Sequence, residues 1–118
     1  MVVQVAEEIE KKINELESAK KFLKQRSESK AETSAAYDKA VALTIMRLRN
    51  GQELEIDGVR IIEPPATILE KVARGICYKE KLEMEKAEAE YKSLITYIST
   101  VESQLNGWQS INRHLQEK

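Results

Sequence analysis

Lys20, Lys21, Lys24, Arg26 and Lys30 form the densest run of cations in the chain, and Ser27, Ser29 and Ser34 follow closely. Ammonium and guanidinium groups neutralise phosphates, and serine hydroxyls donate hydrogen bonds to phosphate oxygens, so this mixture suits a nucleic-acid backbone. On a helix Lys20 and Lys24 stand one turn apart on the same face. Phe22 and Tyr37 have the rings to stack on bases, and equally the bulk to fill a core. The same lysines would serve as the solvated face of an ordinary helix.

Other chemistry-bearing residues are sparse. One histidine, His114, lies beside Arg113 near the C-terminus, where positive charge suits a helix end. One cysteine, Cys77, falls on an apolar helical face and reads as a small core residue. A single Cys and a single His leave no intrachain disulfide and no metal-ligand spacing. Glu80, Glu83, Glu85, Glu88 and Glu90 alternate with Lys79, Lys81 and Lys86, the pattern of a solvated helix face with i,i+4 pairs. With no glycine-rich phosphate loop and no convergent polar constellation, the expectation is a non-catalytic protein without a cofactor.

These side chains must be held by long helices. Of 118 residues, 33% are charged, 5% are aromatic, and only 4 are Gly and 2 Pro, a coiled-coil composition that fits one domain. The 19 basic and 20 acidic residues nearly cancel. They are unevenly spread: residues 1 to 10 carry net −3, residues 11 to 49 carry +5, and residues 50 to 118 carry −3. A polyanion site would therefore lie in the first helical arm. The start Met1–Ala6 is too short for a signal h-region, and no apolar stretch is long enough for a bilayer, which predicts a cytoplasmic protein with no membrane partner.

Val2, Ala6, Ile9, Ile13, Leu16 and Leu23 step by alternating fours and threes, with Lys20 in the gap, which predicts a coiled-coil seam. Apolar spacing lapses across residues 25–34, where Ser29 with Glu32 has capping-box spacing and Ser34 is a second N-cap candidate, so a kink, a short break near 26–34 or an exposed stretch of helix is expected. It resumes at Ala36, Tyr37, Ala40, Val41, Thr44, Ile45 and Leu48 and stops at Asn50-Gly51. Residues 53–62 then switch to a period of two around Asp57-Gly58, a type I′ turn signal. The implied register sets Ile56 opposite Val59, Glu55 opposite Arg60 as an ion pair, and Leu54 opposite Ile61, with the four apolar residues on one face. After Pro64-Pro65, Thr67 and Glu70 form another capping box, so a second arm is expected over 67–116, opposite a first arm over 2–49.

The second arm has the clearest rhythm: Met84, Ala87, Tyr91, Leu94, Ile98, Val101, Leu105, Trp108, Asn112 and Leu115. Residues 93–112 carry one charge, Glu102, and are neutral nearly all round. A helix of that kind is covered on more than one side. A lone two-helix hairpin buries one seam, so the reading is a mostly α fold, two long antiparallel coiled-coil helices joined by a short β-hairpin, that forms a homo-oligomer. The candidate interface comprises Leu94, Ile95, Ile98, Val101, Leu105, Trp108 and Ile111.

Glu90-Tyr91-Lys92, Tyr97, Leu105-Asn106, Arg113, Leu115 and Glu117, together with the arm from Ala36 to Gly51, resemble in order the UvsY-type recombination mediators of tailed phages. The resemblance implies a small helical phage or prophage protein that forms a ring through its C-terminal helices and binds single-stranded DNA. It also implies partners in a recombinase and a single-strand-binding protein. The Asp-Gly hairpin and the near-neutral total charge depart from that family. The helix, hairpin, helix order is similar to a prefoldin β-type chaperone subunit as well, and a phage structural or scaffolding adaptor fits the same residues.

Overall fold

The computed structural model describes residues 1–117. Its elements are α1 (Val2–Arg49), β1 (Leu54–Ile56), β2 (Val59–Ile61), α2 (Leu69–Ile76) and α3 (Tyr78–Gln116). Among the described residues no helix is long and apolar enough to cross a membrane. The chain divides into two compact units, residues 1–28 with 89–118 and residues 29–88, and α1 runs unbroken from one into the other. No break occurs at 26–34: α1 is a single helix of 48 residues, about 72 Å at the usual rise.

In the first unit the N-terminal part of α1 lies antiparallel to the C-terminal part of α3, so that Val5 lies near Trp108, and Arg26 meets Glu90. Heptad positions explain why the chain stays helical where apolar spacing lapses. The inward residues of α1 here are Val5, Ile9, Lys12, Leu16, Ala19, Leu23 and Arg26, all buried or half-buried. Ile9, Leu16 and Leu23 were expected; Val2, Ala6 and Ile13 instead face solvent. A seam through Ala6 and Ile13 would have carried Lys20 inward. The adopted seam buries Ala19 at 6% exposure and leaves the Lys20 ammonium in water, where its hydration costs nothing to keep. Lys12 lays its stem along the seam and bonds Glu15 at 3.3 Å.

The seam of α3 falls where its rhythm puts it: Met84, Ala87, Tyr91, Leu94, Ile98, Val101, Leu105, Trp108, Asn112 and Leu115 are each buried or half-buried. Ile98 and Val101 are the deepest residues of α3 in the first unit, at 7% and 1% exposure.

The second unit is built around Leu48, Leu69 and Ala73, with Val41, Ile45, Leu54, Ile61, Val72 and Ile76 packed against them. Helix α1 ends in a Schellman motif: Gly51 at φ +79° donates its N–H to Leu48 O (3.2 Å), and Gln52 N–H bonds Arg47 O (3.0 Å). The β-hairpin has the expected register, and positive φ at Asp57 (49°) and Gly58 (79°) gives the I′ turn. Two details differ. Arg60 bonds Glu53 rather than Glu55, because its long side chain reaches diagonally past the opposite residue. Val59 is 61% exposed, so only Leu54, Ile56 and Ile61 are partly covered.

The second arm begins later and is divided. Thr67 caps nothing: the N-cap is Ile68, without a side-chain cap, and its N–H bonds Pro65 O at 3.0 Å in the turn that follows the prolines. Helices α2 and α3 are separated by Cys77 alone. Its N–H bonds Ala73 O and its carbonyl accepts from Lys81 N–H, each at 3.1 Å, so the hydrogen-bond ladder is kept across the junction. Cys77 is buried at 3% exposure, and its Sγ lies 3.3 Å from Thr44 Oγ1, which joins two inward polar groups that would otherwise lack a partner.

Candidate functional site

The five residues of the basic cluster do not form one patch. Lys20, Lys21 and Lys24 are exposed on the outward side of α1 in the first unit, where Lys24 approaches Glu28 at 3.9 Å. Arg26 turns inward and bonds Glu90 of α3 at 2.6 Å. Lys30 belongs to the second unit, where it is half-buried. Helical rotation causes the separation, because Arg26 continues the seam of Ala19 and Leu23 while Lys20, Lys21 and Lys24 lie off it. Three exposed ammonium groups lie on one face, that of Lys24 beside a carboxylate.

The candidate stacking rings also diverge. Tyr37 is buried in the second unit at 9% exposure, with Lys81 Nζ 5.9 Å from its ring centre, a cation–π arrangement that fixes both. Phe22 is 51% exposed in the first unit, on the opposite side of α1 from Lys20, where it lines a groove with Ala19, Leu94 and Tyr97. Placing that ring needs only the heptad register: Phe22 stands one residue before the seam position Leu23.

The seven candidate assembly residues also separate. Leu94, Ile98, Val101, Leu105 and Trp108 are seam residues turned toward α1 in the same chain, so their burial is already largely met. Ile95 and Ile111 are 41% and 46% exposed and are free to meet another chain. Tyr97, which sequence spacing did not single out, is 46% exposed on the flank of α3 that carries Ile111, while Ile95 lies on the opposite flank in the heptad column of Glu102. A second count of the uncharged residues, one position off the seam, would have found it.

The surface left by these assignments is uncommon for a chain so rich in charge. Over residues 93–112 the outward faces of α3 are Ser, Thr, Gln, Asn, Gly, Ile and Tyr, with Glu102 as their one ionised group. Such a surface keeps its hydroxyls and amides hydrated, and where Tyr97 and Ile111 are added to it, it can meet another protein surface without desolvating an ion. Among the described residues no group of three or more His, Cys, Asp or Glu side chains is placed to hold a metal. No protein-family model, no curated protein and no solved structure matches the chain.

Proposed function

We propose that this chain is a non-catalytic coiled-coil protein that works by assembling with copies of itself through the unit of residues 1–28 and 89–118. One observation carries the reading: after its seam is satisfied inside the chain, α3 still exposes Tyr97 and Ile111 on a flank that lacks charge from Ser93 to Asn112, the one ionised group of that stretch, Glu102, standing on the other flank with Ile95. Burying such a flank between copies gains apolar area without stranding an ion, which is the energetic condition for a stable homotypic interface. Light scattering on the purified chain tests it. A mass of two or more subunits supports assembly, and a single-chain mass at tens of micromolar removes it.

The exposed lysines Lys20, Lys21 and Lys24 favour a second element of function, binding of single-stranded DNA by the assembly, as in a phage recombination accessory protein. Three lysines on one copy give weak, salt-sensitive phosphate contact; several copies held together multiply it through effective concentration. Binding to labelled oligo-dT at low and moderate salt, with Lys20, Lys21 and Lys24 changed together to Glu, separates this from assembly alone. Loss of a salt-dependent signal in the variant supports DNA binding. An assembly that ignores DNA and suppresses aggregation of another protein is the chaperone outcome, and one that does neither is a scaffold.

A further inference from the structure

Beside the seam of α3 runs a second heptad stripe. Ser93, Thr100 and Gly107 recur every seven residues, and so do Tyr97, Gln104 and Ile111, each four residues after a member of the first set. At 3.6 residues per turn the six fall within an arc of about 80°, roughly a quarter turn from the seam. All six are exposed, and all belong to the first unit. Their sizes are sorted, with the first column small and the second large.

Gly107 is the least expected member. A glycine inside a helix weakens it, and close packing against a neighbour is one reason to place it there. Within the chain there is none, because a Cβ built at Gly107 meets nothing within 4 Å. The space it leaves open points outward, along the stripe.

We infer that the stripe is an isologous interface in which α3 of a second copy lies antiparallel, with the two-fold axis at the level of Glu102. The inference rests on the self-association proposed above and assigns its geometry. In an antiparallel heptad pair each position of one column faces the other column of the partner. With this axis Ser93 faces the second copy's Ile111, Tyr97 faces its Gly107, and Thr100 faces its Gln104. Every layer sets a small residue against a large one, and the Tyr97 ring lies over the backbone that Gly107 leaves bare. One layer further out at each end, Glu90, whose carboxylate also bonds Arg26, faces His114, and no like charges face each other from Glu90 to His114.

A parallel pairing has none of these properties. It would stack Tyr97 on Tyr97 and Gly107 on Gly107, alternating overcrowded and empty layers, and would bring Glu90 against Glu90. The stripe is therefore complementary to itself in one orientation, which is what selects a second copy as its occupant and closes the contact at two-fold symmetry.

The test uses the full chain. Gly107→Leu places a side chain in space that is open within one copy, so the protomer keeps its helical circular dichroism while the seat for Tyr97 is filled. Its expected solution mass falls to that of a single chain at concentrations where the parent is associated. Asn106→Leu, on the other side of α3, leaves the parent mass unchanged. In a Cys77→Ser background, Thr100→Cys and Gln104→Cys are oxidised separately and mixed. The expected result is a disulfide-linked dimer several-fold more abundant in the mixture than in either variant alone. An associated parent whose mass survives Gly107→Leu, or whose cross-links form as well within each single variant, overturns the antiparallel stripe and leaves self-association standing. A parent that is a single chain overturns both.

Discussion

Arg26 stands where a coiled-coil seam ordinarily holds an apolar side chain, and it is kept there by Glu90 at 2.6 Å. Both side chains are about half exposed, at 41% and 55%, so the pair is screened and its coupling is modest, about 0.5–1 kcal/mol in a double-mutant cycle by denaturant unfolding. Arg26→Glu should destabilise through like-charge contact with Glu90, and adding Glu90→Arg should restore most of the loss. Leu48 is a contrasting case at 1% exposure in the core of the second unit, where Leu48→Ala should cost about 2–4 kcal/mol in the same measurement. These residues also explain what the sequence made legible. The α3 seam could be read because its members are nearly all apolar. The α1 seam could be read only in part: Ile9, Leu16, Leu23, Tyr37, Ala40, Val41, Thr44, Ile45 and Leu48 are inward as their spacing implies, while Lys12, Arg26, Lys30 and Thr33 occupy inward positions with polar ends that are paired or reach outward, as Lys12 does to Glu15 and Thr33 Oγ1 to Ser29 O at 2.8 Å. Counting apolar residues therefore suggests a break in a helix that has none.

Short-range signals set the elements that depend on one or two residues. The stop of α1 needs φ +79° at Gly51, and a Cβ there would also stand 3.3 Å from Glu63 Oε1. Gly51→Ala should lower unfolding stability by about 1 kcal/mol, with the helical signal nearly unchanged, because the helix end is strained while its body is kept. Asp57-Gly58 and Asn50-Gly51 were legible for this reason: backbone conformation at φ > 0 is a local property of residue type. The start of α2 was not legible. Pro64-Pro65 sets a turn in which Pro65 O takes the N–H of Ile68, so the helix begins past the residue that the capping-box spacing selects. The Arg60 ion pair was misassigned because side-chain reach, unlike strand register, is not fixed by the period of two.

At the scale of the whole molecule, the candidate functions differ in how many copies act together. The exposed Lys20, Lys21 and Lys24 are a weak phosphate site in one copy and a stronger one in several. If the assembly binds oligo-dT, changing all three to Glu should reduce affinity at low salt by an order of magnitude or more and flatten its salt dependence, while leaving the solution mass intact. The DNA reading then stands or falls separately from assembly. Assembly itself is the central claim, since it accounts for the uncharged flank of α3 that packing within one chain does not cover. Sedimentation equilibrium or light scattering of the unmodified chain at tens of micromolar tests it most directly. A mass at least twice the 13.5 kDa of one chain is expected, and a concentration-independent mass of 13.5 kDa would contradict assembly.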